Sequence, residues 1–262
     1  MIKKILHKIG LDKETLKMII NLCKLDFKVK SKESMLGLFW YMIWPIIQSG
    51  GYVIIFNIIK NPDGLSPEIF SQFLIVLIWS QVVLTLIYSF NILSINVDII
   101  KNLIFPYYNS ISSEIINKFL FFIITFLPLV FFYALINNYL NIFFIINTLI
   151  FCISILLLLI SICWFGSIIG MIFPDISGIL VILSTFLIAF SKLFLPEKYY
   201  DHGTLSFFLE LNPVNFFINI FHSLFVNQIS ILICCMFLIC FIFYVISLKS
   251  IKFLLQEIIK LI

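Results

Sequence analysis

Long apolar stretches without a charged residue recur along the chain and are separated by short polar segments. A helix rises about 1.5 Å per residue, so crossing a hydrocarbon core of about 30 Å takes roughly 20 apolar residues. Six stretches reach or approach this length, and they predict an all-α polytopic membrane protein with six transmembrane helices. Their approximate limits are 36–59, 69–95, 119–136, 142–172, 177–191 and 229–248.

The fourth and fifth stretches form one apolar tract, interrupted only by Pro174, Asp175 and Gly178. Because a helix tends to end before a proline, the tract predicts two spans joined by a tight turn. The six stretches contain no Asp, Glu, Lys or His. Proton-driven carriers use intramembrane ionisable groups as relays, so this pattern argues against one. A sodium site built from backbone carbonyls stays open.

The N-terminal segment, residues 1–34, is rich in lysine and precedes the membrane domain, residues 35–262. Its apolar residues recur at helical spacing with lysines between them, namely Ile2, Ile5, Leu6, Ile9, Leu16, Ile19, Ile20 and Cys23. This pattern predicts an amphipathic helix lying in the membrane interface, with lysines toward anionic headgroups. The alternative is a solvated basic tail.

The loop after the second stretch is partly apolar. Ile99, Ile100, Leu103 and Ile104 form one helical face before Pro106 breaks the chain. A second helix is then expected to lead into the third span. Such a loop can lie on the membrane or dock into a cytoplasmic partner as a helix in a groove.

The loop 192–228 contains two apolar stretches, each too short to span, on either side of Asn212 and Pro213. We predict a re-entrant or external helical hairpin between spans five and six, with a plain external amphipathic helix as the alternative. On the second stretch, Asn215, Asn219, His222 and Ser223 fall on one helical face. The other face carries Phe216, Phe217, Ile220, Phe221 and Leu224.

Composition agrees with a membrane protein and excludes a soluble one. Of 262 residues, 62% are apolar, and only 17 basic and 13 acidic side chains are present, whereas soluble domains carry about 25% charged residues. Every basic residue is Lys. Nine lysines precede the first span, Lys101 and Lys118 lie in the second loop, and three lysines follow the last span. These 14 lysines fall on one side of the predicted membrane, and only Lys60, Lys192 and Lys198 fall on the other. The positive-inside rule therefore predicts that both termini lie in the cytoplasm.

No catalytic or nucleotide-binding set is recognisable. The chain has no GxxxxGK[ST] loop, no GxSxG elbow and no CxxC pair. His202 and His222 are a weak metal pair because they lie 20 residues apart with few acids nearby. We therefore expect no enzyme activity, no metal, no cofactor and no nucleic-acid partner.

Two local patterns have competing interpretations. Gly166 and Gly170 form a GxxxG in the fourth span, which is a helix-packing face or a chance occurrence. Trp40, Tyr41 and Trp44 at the start of the first span are an interfacial aromatic belt or a stacking surface for sugar rings.

Four blocks in this order resemble a known family. They are LDFKVKSKESMLGLFWYMIWPIIQ (25–48), KNLIFPYYNSISSEI (101–115), FPDI (173–176) and LNPVNFFINIFHSL (211–224). Together they look like the Leu-Gly-x-x-Trp, Phe-Pro, Asp-Ile and Leu-Asn-Pro segments of ABC transmembrane type-2 permeases of the polysaccharide exporter family. The resemblance covers nearly the whole chain.

The resemblance implies a homodimeric membrane subunit that exports lipid-linked O-antigen, capsular polysaccharide or teichoic acid. Two cytoplasmic ABC ATPase subunits would bind the ATP. By position, Lys101, Asn102, Phe105, Pro106 and Tyr107 would couple to the ATPase. Trp40, Tyr41 and Trp44 would lie where the polymer enters the channel. The external gate would comprise Leu211, Asn212, Pro213, Asn215, Asn219 and His222.

The chain departs from the family at three positions that usually hold Arg, which are Tyr107, Pro174 and His222. Recognition of phosphate or carboxylate by those arginines is not available here. Two rival functions stay open: an ABC type-2 permease for a drug or simple lipid, and an intramembrane enzyme acting on lipid-linked sugars. Pore width would distinguish the first rival from a polysaccharide exporter. A transferase activity that depends on Asp175, Glu210 and His222 would favour the second rival.

Overall fold

The computed structural model describes residues 13–32, 37, 39–60, 68–95, 107–173, 175–195 and 203–261. These residues form helices and no strands. The helices are α1 (Lys13–Lys30), α2 (Phe39–Lys60), α3 (Ile69–Ile95), α4 (Tyr107–Ile136), α5 (Ile142–Ile172), α6 (Ile176–Ala189), α7 (Gly203–Leu211), α8 (Pro213–Ser223) and α9 (Ile231–Leu261).

Four helices are long and apolar enough to cross a membrane. They are all of α2 and the segments Ile69–Ile92 of α3, Ile111–Ile136 of α4 and Ile142–Gly170 of α5. Two shorter apolar helices follow, α6 and the segment Ile231–Ser247 of α9. The all-helical prediction is confirmed for the described residues, and the long helices indicate a membrane protein.

Helix α3 lies at the centre of the bundle. About two thirds of its apolar segment is buried, compared with 22% for α2, because α2, α4, α5, α6 and α8 all pack against it. Helix α5 packs on α3 and on α9. Large apolar side chains on the outer helices point away from the bundle, among them Ile55, Phe186 and Phe243. Such a surface suits a hydrocarbon solvent.

The GxxxG pattern is a helix-packing face. A Cβ on Gly170 would collide with the backbone oxygen of Phe90 on α3, and one on Gly166 would lie 2.9 Å from Ser89 Oγ. The two glycines therefore let α5 approach α3 more closely than any larger residue would allow.

Contacts between helix termini define two ends of the bundle. At one end, Asn141 Nδ2 donates to Asn227 Oδ1, Asn147 bonds to the backbone of Gln228 and Ser230, and Lys60 Nζ donates to Leu193 O at 3.4 Å. We call this the Asn141 end. The opposite end holds the first turns of α2 and α4 and the last turns of α3, and we call it the Lys118 end.

Helix α1 confirms the amphipathic helix from Lys13 onward, and residues 1–12 lie outside the described part. It packs along the first turns of α4. The Cys23 thiol donates to Ser113 O at 3.4 Å, and Asn117 Nδ2 donates to Asp26 Oδ2 at 3.0 Å. Ile20, expected on the same face as Cys23, is 51% exposed. The face that packs on α4 is thus narrower than the sequence pattern suggested.

The second helix that was expected to lead into the third span is observed. Helix α4 runs without interruption from Tyr107 to Ile136, so the expected preceding helix and the span are one helix. The segment long and apolar enough to span begins at Ile111 and includes Glu114 and Lys118. Helix α4 therefore carries two ionisable groups toward the Lys118 end, while residues 119–136, the stretch expected to span, contain none.

Candidate functional site: an aromatic pocket at the Lys118 end

A cavity of about 560 Å³ opens between α2, α3 and α4 at the Lys118 end. Its volume is in the range of small-molecule binding sites, which are mostly apolar with a few polar groups. We call it the aromatic pocket. It is lined by Gly37, Trp40, Tyr41, Trp44, Pro45, Gln81, Leu84, Ile87, Tyr88, Asn91, Lys118 and Phe121. The structure thus brings together Trp40, Tyr41 and Trp44, the three aromatic residues selected from the sequence.

Helix α2 presents these three rings to the pocket from its first turns. Trp40 and Trp44 are one helical turn apart and therefore share a face of α2. Both stay about half exposed, at 48% and 56%. The Tyr41 ring is fixed more tightly, because it stacks on Phe121 of α4 with centroids 5.5 Å apart. On α4, Phe121 also contacts Phe27 of α1 at 5.2 Å.

Lys118 links all three walls of the aromatic pocket. Its ammonium Nζ lies 5.0 Å from the centroid of the Tyr41 ring on α2 and 4.5 Å from that of Tyr88 on α3. Both distances are within the range of cation–π attraction. Lys118, which the sequence pattern had grouped with the second loop, lies on α4 with its ammonium between two aromatic faces.

Two amide side chains add hydrogen-bonding capacity to the aromatic pocket. Gln81 is only 7% exposed and is one of the residues that line the cavity. Asn91 lies near the Lys118 end of α3. Aromatic planes, amides and one ammonium together suit a ligand that combines apolar faces with hydroxyl or anionic groups.

The sequence analysis missed Gln81, Tyr88 and Asn91. A signal was present, because residues 81, 84, 88 and 91 recur at helical spacing and so share one face of α3. Gln81, Tyr88 and Asn91 are the polar members of this face. What the sequence could not supply was the neighbouring face of α4, where Lys118 lies.

The residues expected to form an external gate divide into two groups. Asn212 and Asn215 are buried, at 5% and 6% exposure, and serve as structural links. Asn212 Oδ1 accepts from Val214 N at 2.9 Å and caps α8, while its Nδ2 donates to Leu187 O and Phe190 O at the end of α6. Asn215 Nδ2 donates to Leu209 O on α7, and its Oδ1 accepts from Lys192 N at 2.8 Å.

The second group, Leu211, Pro213, Asn219 and His222, is exposed. The predicted division of faces on α8 therefore needs one correction. Asn215 lies on the buried face with Phe217, Ile220, Phe221 and Leu224, whereas Phe216 is 44% exposed. The physical reason is that Leu209 O on α7 and Lys192 N in the turn after α6 need partners, and the Asn215 amide provides them.

The residues expected to couple to an ATPase fall at the edge of the described chain. Lys101, Asn102, Phe105 and Pro106 lie outside the described residues, as does Pro174. Tyr107 is the first residue of α4. Helix α1 packs on the first turns of α4, the helix that follows this segment in the chain.

Neither the protein-family models nor the curated proteins contain a match to this chain. Within the described residues, no three His, Cys, Asp or Glu side chains come together in a group that could hold a metal ion.

Proposed function

We propose that this protein is the membrane subunit of an ATP-driven exporter that moves a lipid-linked polysaccharide across the cytoplasmic membrane. Two copies would form the channel, and two separate ABC ATPase subunits would supply the energy. The observation that carries the proposal is the aromatic pocket. Its tryptophan and tyrosine rings offer planes on which the apolar faces of sugar rings can pack, beside amides that can bond to hydroxyls.

Six membrane crossings fit this proposal. Helix α5 leaves the Asn141 end, yet Gln228 is bonded to Asn147 at that same end. The segment between them, which contains α6, must therefore return the chain across the bundle. Helix α6 has 14 residues and covers only about 21 Å, but the turn Ser191–Leu195 extends the apolar path. The apolar part of α9 would provide the sixth crossing.

The lysine distribution supports an orientation with the Lys118 end in the cytoplasm. Nine of 17 lysines precede α2, and α1, which carries several of them, packs beside the start of α4. The positive-inside rule then puts the Asn141 end outside. In this orientation the aromatic pocket faces the side on which lipid-linked glycans are synthesised, as expected of a point where the polymer enters.

The test is a deletion strain complemented with variants, in which surface polysaccharide and intracellular lipid-linked glycan are measured. Deletion should lower the amount of surface polysaccharide and raise the amount of intracellular lipid-linked glycan. The double variant Trp40→Ala/Trp44→Ala should complement poorly, because it removes two stacking planes from the pocket. Phe186→Ala is the matched control, since this exposed ring lies on α6 outside the pocket; it should complement fully.

Affinity purification of the complemented protein supplies a second readout. An ABC ATPase should co-purify with the wild type and with all three aromatic substitutions, since none of them alters a residue expected to couple to the ATPase. Unchanged surface polysaccharide on deletion, together with no co-purifying ATPase, would refute the proposal. Accumulation of a small drug or simple lipid in the deletion strain would favour the rival permease instead.

A further inference from the structure

One buried ring, that of Phe121 on α4, belongs both to the aromatic pocket and to the contact between α4 and α1. It lines the cavity, and the Tyr41 ring of α2 stacks on it with centroids 5.5 Å apart. The Phe27 ring of α1 contacts it at 5.2 Å. Protein interiors are densely packed and transmit strain. A shift of Tyr41 in the pocket wall therefore disturbs the ring on which α1 rests, and a shift of α1 disturbs the pocket wall.

A second contact joins α1 to the aromatic pocket through the chain itself. Gly37 lines the cavity and has a left-handed backbone conformation, with a φ of +47°. A Cβ at this position would lie 3.1 Å from Ser31 O, just past the end of α1. Glycine suits both this conformation and such a close approach. The chain that follows α1 thus lies against a residue of the pocket wall.

The contact between α1 and α4 is incompletely paired. Asn117 Nδ2 donates to Asp26 Oδ2 at 3.0 Å, and Asn117 is 1% exposed. Its Oδ1, however, has no hydrogen-bond partner within the described part of the chain. A buried acceptor without a donor costs stability. The docked position of α1 therefore carries a cost that undocking relieves, which suits a contact that opens and closes.

We propose that docking of α1 on α4 is coupled to the shape of the aromatic pocket through Phe121 and Gly37, so that the position of α1 regulates the pocket. The docked and undocked positions of α1 are the two states, and groups on both sides bias them. Coupling between two sites is reciprocal, so a pocket change that loosens α1 implies an equal effect of α1 on the pocket. The regulatory role rests on the proposed function, because the proposed orientation puts α1 in the cytoplasm.

Cys23 reports how often α1 leaves α4. Its thiol is buried in this contact and donates to Ser113 O at 3.4 Å, so N-ethylmaleimide should reach it only when α1 undocks. The test uses full-length protein in phosphatidylcholine nanodiscs, and mass spectrometry of the Cys23 peptide gives the alkylation rate. Tyr41→Leu should raise this rate about threefold to tenfold, as expected for the loss of one aromatic pair. Tyr41→Phe keeps the ring and should react at the wild-type rate.

Two controls separate coupling from unfolding. Cys163 is fully buried on α5, and its thiol donates to Thr85 O on α3 at 3.7 Å. Its alkylation in the same samples reports global opening and should not change in Tyr41→Leu. Trp44→Leu removes a half-exposed ring of the same pocket and should change the Cys23 rate by less than about twofold.

A double-mutant cycle tests whether the two sides share Phe121. Phe27→Leu should itself raise the Cys23 rate, because it removes the ring by which α1 contacts Phe121. In that background Tyr41→Leu should add less than about twofold. Full multiplication of the two effects would overturn the proposal, as would a wild-type Cys23 rate in Tyr41→Leu.

Gly37→Ala keeps the proposal testable if Tyr41→Leu fails to fold. It removes no ring but forces a Cβ toward Ser31, so it should raise the Cys23 rate and leave the Cys163 rate unchanged. A wild-type Cys23 rate in Gly37→Ala would overturn the proposal, and a parallel rise at Cys163 would assign the effect to loss of the fold and count against it.

Failure of this inference is distinguishable from failure of the proposed function. The alkylation rates are measured on purified protein and need neither an ATPase nor a glycan. Wild-type Cys23 rates in both pocket variants, with export and ATPase co-purification intact, would remove only the coupling. Unchanged surface polysaccharide on deletion, with no co-purifying ATPase, would remove the exporter and leave a measured coupling in place.

Discussion

At the scale of single residues, Gly170 sets how closely α5 approaches α3. The nearest heavy atoms to its missing Cβ belong to the backbone of Phe90, which cannot rotate away as a side chain would. The sequence showed the GxxxG spacing but left chance as an equal explanation. Only the position of Phe90, 80 residues earlier, decides between the two, because spacing on one helix says nothing about its partner.

We expect Gly170→Ala to destabilise the protein by about 1–3 kcal/mol, the cost typical of inserting a methyl group into a packed interface. Thermal unfolding of the purified protein in detergent measures the change. Gly51→Ala is the matched control, since nothing lies within 4 Å of a Cβ there. In that exposed helix position alanine should be neutral or stabilising by up to about 1 kcal/mol. Equal stability of both variants would contradict a close α3–α5 crossing.

At the scale of elements, the polar residues between α6, α7 and α8 act as a junction. The sequence correctly predicted short helices on either side of Asn212 and Pro213, since a proline at the first helical position suits the start of a helix. It assigned Asn212 and Asn215 to a gate, a role that stays a prediction. Their burial depends on where the end of α6 lies, which no local pattern encodes.

Asn212→Ala should loosen this junction. The substitution removes the cap of α8 and leaves the carbonyls of Leu187 and Phe190 without the Asn212 donor. We expect a loss of about 1–3 kcal/mol, the cost of leaving buried polar groups unpaired. Asn219→Ala, on the exposed face of the same helix, should change stability by less than about 0.5 kcal/mol.

Chemical denaturation monitored by tryptophan fluorescence would compare the two asparagine variants. If Asn219→Ala proved as destabilising as Asn212→Ala, the hydrogen bonds to α6 would not be what holds α8 in place.

At the scale of the whole molecule, the chain reverses direction so that distant segments share an end. Starting from a cysteine-free variant, single cysteines at exposed positions report the side on which they lie. With a membrane-impermeant maleimide, Asn137→Cys and Asn219→Cys should be labelled in intact cells. Lys24→Cys should be labelled only after permeabilisation. These results follow if α2, α3 and α4 separate Lys24 from Asn137, and α5 and α6 return the chain to the outside.

The controls are the same cysteines in opened membranes, where all three should react. Labelling of Asn219→Cys only after permeabilisation would reduce the number of crossings, and labelling of Lys24→Cys in intact cells would reverse the orientation.

The sequence by itself determined the helical class, the positions of the long apolar helices and the concentration of lysines before the first of them. These properties depend on local hydrophobic length and on charge, and both can be counted along a single chain. The tertiary structure alone decided the aromatic pocket. Tyr41, Tyr88 and Lys118 lie on three different helices, and their rings and ammonium meet only because α2, α3 and α4 pack together at one end. Lys118, which the sequence pattern groups with the second loop, is thus part of the candidate site in the folded protein.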